Sequence, residues 1–579
     1  MPDTYTTAQI VNQLTTSWGN SLTGYSFSWP SALKTISYAI NAATPKNVSG
    51  YTPSEGGMYL VKMDTLQVAT ASLAFQLWDD LIAKSAGTQH RLVQTASPSA
   101  QITLNYSSNT SANATYTRSF GPTNDATKQV TLEADQIWLS SKWSSNGDAG
   151  MSPGSYGLLT MIHEIGHSLG LSHTANNNPG SDGTITYAND TVFHDTRQYT
   201  VMSYNGGYLM GSGWQQDGTY SNYIYPQTMM VYDIAAIQEK YGTDTKTRTT
   251  NTTYGFNCTL ASSDPEKKIY DFSLNKKPIY TIWDAGGTDT LDCSGYGGNQ
   301  TISLIPGTYS SVDGMIQNVA IAFNCSIEGA TGGKGTDTII GSNEKNILTG
   351  GAGTDKMNGG NNSDIYLINS ASEHTAAEIT DNGTTGVDEV RFCSQTAKDT
   401  LTLFAGDTGI EHVIIGTSSG TTAITSATTA LNVNASKVLN GLIIMGNAGS
   451  NTLTGTSYSD TLTGGNGADR FVFNSLKNTP VTKDIITDFQ PGVDFIQFSK
   501  SIFTKIISVA GKALSTPEFW SGKGVIAGHD SDDRIVYDTT TGNLYYDADG
   551  NGASAAVLVA LIGITTHASL TAANIQLIA

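Results

Sequence analysis

The sequence predicts an α+β domain followed by an all-β parallel β-roll. Three observations carry that prediction. A helical stretch, His163-Glu-Ile-Gly-His167-Ser-Leu-Gly170-Leu-Ser-His173, sits among segments of both helical and strand periodicity. Beyond residue 245 the chain turns to short runs rich in glycine, threonine and aspartate. Within that part a nine-residue pattern repeats. The expected division is therefore 1–245 and 246–579.

In the first part, residues 1–20 hold an N-terminal helix near Thr6 to Trp18. Asp64 is placed to cap a long helix in which Leu66, Ala69, Leu73, Leu77 and Leu81 recur at helical spacing. Gln101 to Tyr106 alternates as a strand does, and so does the stretch around Tyr116. Leu158, Leu159, Ile162, Ile165 and Leu169 give the motif helix an apolar side. Met229 to Tyr241 forms another helix.

The motif itself specifies chemistry. Positions i and i+4 of a helix share a face, so His163 and His167 can bind one metal ion together. Glu164, one step around, can address a metal-bound water without becoming a ligand. Gly170 lacks a Cβ, can take positive φ and can end the helix, so that the chain turns back and His173 supplies a third nitrogen. Downstream, Tyr199-Thr-Val-Met202-Ser-Tyr204 is a short apolar turn with one methionine and a phenol.

The extended histidine motif and the Val201-Met202-Ser203-Tyr204 turn resemble those of the metzincin metallopeptidases, and within them the serralysins. The resemblance implies a catalytic Zn2+ on His163, His167 and His173, with Tyr204 as a further resting ligand that swings to the oxyanion during turnover. It implies Glu164 as general base and acid, and Met202 as the floor under the metal. A twisted sheet would pair its edge with an extended peptide. Polypeptide substrates, a proteinaceous inhibitor and a monomeric state follow from the same resemblance. Thr174-Ala175-Asn176-Asn177-Asn178 departs from the family's usual Pro-Gly-Asp run, which bears on the cleft and leaves the metal untouched.

In the second part, Gly332-Gly-Lys334-Gly-Thr-Asp337-Thr-Ile339-Ile fits Gly-Gly-x-Gly-x-Asp-x-apolar-x, the repeat-in-toxin calcium motif. Further units start at Gly341, Gly350 and Gly359, and a second block at Gly446, Gly455 and Gly464. The blocks span 329–368 and 446–473. Each unit is half a coil, so residues eighteen apart share a Ca2+: Asp337 with Asp355, Asn346 with Asp364, Asn451 with Asp469. Side-chain oxygens come from these residues and Asp460. Backbone carbonyls come from Gly332, Lys334, Gly341, Gly350, Gly351, Ala352, Gly353, Gly359, Gly446 and Gly464.

By resemblance, Arg248, Thr250 and Thr252 with Asp284, Gly286, Gly287 and Asp289 form a further calcium site. Thr250 stands where the family has glycine. Residues 474–579 resemble the family's C-terminal cap. Asp547 to Gly552 begins as an EF-hand loop does, but Leu558 occupies the place of the bidentate glutamate, so an EF-hand is rejected. Residues 369–442 form a threonine-rich, β-rich insert, open to two readings: a binding surface, or additional roll.

The net charge of -19 repels phosphates and argues against nucleic-acid binding. No apolar stretch reaches the eighteen residues a membrane span needs. Cys258, Cys293, Cys325 and Cys393 lack metal spacing and read as small buried hydrophobes, with a disulfide open to an exported chain. Met1-Pro-Asp-Thr-Tyr carries neither the basic nor the apolar region of a signal peptide. Secretion to the extracellular medium by a type I exporter is the expectation, with calcium folding the roll outside. The competing reading is a toxin-like or surface-binding exoprotein in which the roll and insert carry the activity.

Overall fold

A computed structural model describes residues 6–16, 24–41, 60–82, 90–97, 99–108, 114–143, 146–147, 150–174, 195–204, 206, 224–417, 420, 422–476 and 483–579. The expected departure at 175–178, the ends of the N-terminal segment (1–5 and 17–20) and 477–482 of the cap lie outside the described residues.

Packing divides the chain into two compact units, Met1–Cys293 with Gln300–Gly329, and Ser294–Asn299 with Ala330–Ala579. The first unit thus runs past residue 245, where composition changes. Polar bonds join the later segment to it. Gln76 Nε2 donates to Glu266 Oε1 at 2.9 Å, Arg248 pairs with Asp80 at 3.5 Å, and Thr281 N donates to Thr228 Oγ1 at 2.9 Å.

The first unit holds helices α1 (Thr7–Thr16), α2 (Thr65–Asp79), α3 (Tyr156–Ser168) and α4 (Val231–Tyr241). Up to Tyr241 its strands are β1 (Ser26–Ser28), β2 (Ile36–Ile40), β3 (Leu60–Val61), β4 (Leu92–Gln94), β5 (Ile102–Ser107), β6 (Ala114–Asn124) and β7 (Gln129–Ser140). They form one sheet in the order β1-β7-β5-β2-β4, all parallel, with β3 antiparallel on β5 and β6 antiparallel on β7. Burial in β7 alternates over its first half and then becomes continuous, as expected of a strand that enters the middle of a covered sheet.

Asp64 caps α2 as expected, in a reciprocal box with Gln67. Leu73, Leu77 and Leu81 of the expected α2 stripe are buried and Thr70, Ala74 and Trp78 join them, whereas Leu66 is 42% exposed and Ala69 is exposed as well. Leu66 lies in the first turn, ahead of the packed region, and Trp78 takes the central place. Its Nε1 donates to Ile162 O at 3.0 Å, which fixes α2 against α3.

The second unit is built of short parallel strands stacked coil on coil. Thr338–Ile340 pairs with Lys356–Asn358, Ile339 opposite Met357, and Ile347–Thr349 pairs with Ile365–Ile368, Leu348 opposite Tyr366. These apolar eighth residues are buried. The second block repeats this, Leu453 opposite Phe471. The insert is additional roll: Ile365–Ile368, Glu389–Phe392, His412–Ile415 and Ile443–Met445 pair successively in parallel. The cap ends that sheet with antiparallel neighbours, Ile535–Asp538, Asn543–Tyr546 and Val557–Ile562. No helix among the described residues is long and apolar enough to cross a membrane.

Cys293 and Cys325 are buried, as expected of small hydrophobes, while Cys258 and Cys393 are half-buried.

Candidate metal centre

Helix α3 ends where a glycine allows it. Gly170 has φ +89°, and a Cβ there would stand 2.1 Å from Phe27 O. Leu171 N donates to Gly166 O and Gly170 N to His167 O, both at 3.0 Å, the pair of bonds that closes a Schellman turn. The reversal brings His173 back beside the helix. The Nε2 atoms of His163, His167 and His173 then lie 3.1, 3.1 and 3.3 Å apart.

The outer nitrogens explain why His163 and His167 face inward. His163 Nδ1 is 2.8 Å from Val201 O, and His167 Nδ1 is 2.7 Å from Leu171 O. A carbonyl can only accept, so Nδ1 carries the proton in both rings and Nε2 presents a lone pair. Burial drives His163 down to about 4 and His173 down to about 3. It holds His167 well below the usual imidazole range. Such crowding of neutral lone pairs is repulsive without a cation between them. Tetrahedral zinc with Zn–N near 2.0–2.1 Å separates its nitrogens by about 3.3 Å, so the trio fits that ion.

The Tyr204 ring lies 4.5 Å from that of His173 and 5.7 Å from that of His163, 37% exposed. Met202 is fully buried, and a Cβ on Gly166 would meet its Sδ at 2.8 Å. Gly166 therefore makes room for the methionine against α3. Glu164 keeps part of its surface toward solvent. Desolvation nonetheless pushes its carboxyl up to about 8, with Asp135 adding to the rise and Arg118 opposing it.

Two supports were not legible in the motif. Asp233, in the first turn of α4, accepts from Thr200 Oγ1 at 2.5 Å, Val201 N at 2.7 Å and Met230 N at 2.9 Å. It thereby holds the turn that carries Met202. Arg118 on β6 donates to Asp135 Oδ2 on β7 at 2.8 Å and to His167 O at 2.7 Å, tying the sheet to the end of α3. The acidic residue near the start of the expected 229–241 helix is a signal that could have marked Asp233.

In the roll, the expected i, i+18 pairs come together. Asp337 N donates to Asp355 Oδ1 at 2.8 Å, Asn346 N to Asp364 Oδ1 at 2.7 Å, and Asn451 N to Asp469 Oδ1 at 2.7 Å. Asp460 Oδ1 accepts from Leu442 N at 2.9 Å. The glycine turns interlock, since a Cβ on Gly332 would stand 2.2 Å from Gly350 O and one on Gly446 2.3 Å from Gly464 O. Asp355, Asp364 and Asp469 each bury Oδ2 with no hydrogen-bond partner. Desolvation and neighbouring carboxylates push Asp355 and Asp469 up to about 6, and Asp364 to about 7. Buried orphan carboxylate oxygens beside carbonyl-rich turns suit a hard cation such as calcium.

The seven residues at 248–289 also meet. Thr252 N donates to Asp289 Oδ1 at 2.7 Å and Gly286 N to Asp284 Oδ1 at 3.0 Å. A Cβ on Gly287 would stand 2.9 Å from Thr250 O, and Asp289 Oδ2 is another buried orphan. The Arg248 side chain points away into an ion pair with Glu266 at 2.8 Å, which leaves its carbonyl as the group it could offer.

The family model described as "Peptidase M10 serralysin C terminal" matches residues 243–571, and the one described as "Matrixin" matches residues 62–193. Metalloprotease AprA of Pseudomonas entomophila (strain L48) is 42% identical over 202 residues, 34% of this chain and 39% of its own length. Serralysin G of Dickeya chrysanthemi is 34% identical over 350 residues, 59% of this chain and 66% of its own. A serralysin of Proteus mirabilis is 41% identical over 214 residues, 37% and 41% respectively. The chain thus spans from 39% to 66% of the length of these curated relatives.

Proposed function

The chain belongs to the serralysin-type M10 metallopeptidases, and on that footing we propose that it is a secreted zinc endopeptidase that cuts polypeptides. The observation that carries the reading is the trio of imidazole Nε2 atoms within 3.3 Å of one another. The family membership favours it over a toxin-like or surface-binding exoprotein.

Zinc held by three neutral imidazoles supplies a Lewis acid and brings the pKa of a water toward neutrality. Glu164 accepts the proton of the attacking water at its carboxylate and delivers it to the departing amine. The Tyr204 phenol, beside His173, donates to the substrate carbonyl oxygen as negative charge builds there. Strand β6, antiparallel at the sheet edge, offers its backbone to an extended peptide.

Calcium is the proposed ion of the roll and of the 248–289 site. Without it the turn carboxylates repel one another, and the roll stays unfolded in a calcium-poor cytosol. A chain in that state can pass a type I exporter and fold in millimolar calcium outside.

Elemental analysis and casein digestion with and without a chelator test the catalytic reading. The expected outcome is one zinc per chain, with cleavage abolished by chelation and restored by zinc. Zinc-free protein that still cleaves overturns it.

A further inference from the structure

A cation without a counter-ion stands beside the imidazole trio. Among the described residues Arg197 has no carboxylate partner. Its Nε donates to Ser203 O at 3.1 Å, which leaves the Nη1 and Nη2 donors of the fork unused. Other cations of this unit are engaged. Arg118 pairs with Asp135 at 2.8 Å and donates to His167 O, and Lys240 Nζ donates to Ser26 Oγ and Phe27 O, both at 2.7 Å. The Arg197 charge also reaches the metal face. Burial is what chiefly lowers the His163 imidazole, and Arg197 adds to that lowering.

The guanidinium is held on a partly exposed ledge of α3. Tyr156, Thr160, His163 and His167 follow one another at i, i+4, i+7 and i+11, so they share one helix face. Arg197 lies against the ring at the start of that face, its Cζ 5.7 Å from the centre of Tyr156 and 5.6 Å from that of Tyr225. The two rings pack edge-on at 5.1 Å. Arg197, Tyr156 and Tyr225 each keep part of their surface toward solvent. Rings on both sides pre-organise the planar fork, so little further freedom is lost when it meets a carboxylate. At about 1.5 Å per helical residue, Tyr156 stands roughly 10 Å along α3 from His163. That is the length of about three residues of extended peptide.

We propose that Arg197 is a specificity-determining residue of the cleft, pairing with an acidic side chain of the peptide within about three residues of the bond that is cut. The chain as a whole carries a net charge of -19, and such a surface repels acidic peptides. A preference for them has to come from a local cation. The inference rests on the endopeptidase reading and deepens it by naming the substrate class: polypeptides with aspartate or glutamate beside the cleavage site.

The test uses the full-length zinc-loaded protein and a casein-derived peptide that it cuts. Peptide pairs differ only in Glu or Gln, placed in turn at each of the three positions on either side of the cut bond. The Glu-to-Gln ratio of kcat/KM is compared within wild type and within R197Q, so a general loss from a shifted Ser203 turn cancels. A ratio of about 10 is expected at one position in wild type, roughly the worth of one hydrogen bond to a charged group, and about 1 in R197Q. Binding of the same pair to E164Q should show the same preference without turnover. If circular dichroism finds R197Q unfolded, R197M, whose chain can still pack between the rings, decides. A wild-type ratio near unity at every position, or an unchanged ratio in the folded variant, overturns the proposal and leaves Arg197 as a clamp on the Ser203 turn. Zinc-loaded wild type that cuts neither casein nor any peptide overturns the endopeptidase reading, and this inference with it.

Discussion

The Asp233 carboxylate accepts the Val201 amide at 2.7 Å, so the first turn of α4 holds the turn whose carbonyl orients His163. Its other bonds come from Thr200 Oγ1 and from Met230 N. D233A should leave two buried amides without acceptors and cost about 3 kcal/mol of stability, at roughly 1–3 kcal/mol per unsatisfied group. D233N keeps one oxygen for the amides and can turn its NH2 toward Thr200, so its loss should stay near ~1 kcal/mol. Urea unfolding of the two variants, with casein cleavage alongside, measures the difference. Equal losses would remove Asp233 from this role.

Glu164 is expected to move protons without holding the metal. E164Q should keep the zinc content of wild type while kcat falls by about 10²–10⁴-fold, the range for removal of a general acid–base. Metal analysis and peptide hydrolysis on the same preparation separate the two effects. A variant that loses zinc in parallel with activity would make Glu164 a structural residue of the site.

The parts that were legible are those whose chemistry repeats at local spacing. His163, His167, Gly170 and His173 lie within one helix and its reversal, and the apolar eighth residues of the nonapeptides mark the phase of every coil. The unread parts act across distance. Asp233 meets Val201 over 32 residues, Arg118 meets His167 over 49, and Asp388 meets Asp364 over 24. Their local sequence does not name their partners, which the tertiary fold chooses; at most it marks Asp233 as an acidic residue in a first helical turn. The stripe of α2 shifted for a related reason: periodicity fixes a helical face, but neighbours decide which side of it is covered.

Gly170 should not tolerate a side chain. G170A must hold φ near +89° and place its Cβ against the Phe27 carbonyl. The left-handed conformation alone costs about 1–2 kcal/mol, before the clash. Relief requires the reversal to move, which draws His173 away from the other two imidazoles. Weaker zinc retention in a competition with a chromogenic chelator is therefore expected, together with a lower melting temperature. Wild-type zinc affinity in G170A would show that the reversal does not set the third ligand.

His374 gives the roll a pH dependence of defined sign. Burial pulls its imidazole down, but Asp407 at 2.9 Å and Glu378 at 3.1 Å outweigh burial and raise it to about 9. The folded value lies above the unfolded one, near 6.5. The stabilisation is then complete below about pH 6.5 and is lost as pH climbs through about 9. A shift of this size corresponds to roughly 3 kcal/mol. Calcium-saturated protein should unfold at lower urea at pH 9.5 than at pH 6.5. H374Q, which cannot take up a proton, should be less stable than wild type at pH 6.5 and should flatten that dependence. An unchanged slope in H374Q would place the pH sensitivity in other groups.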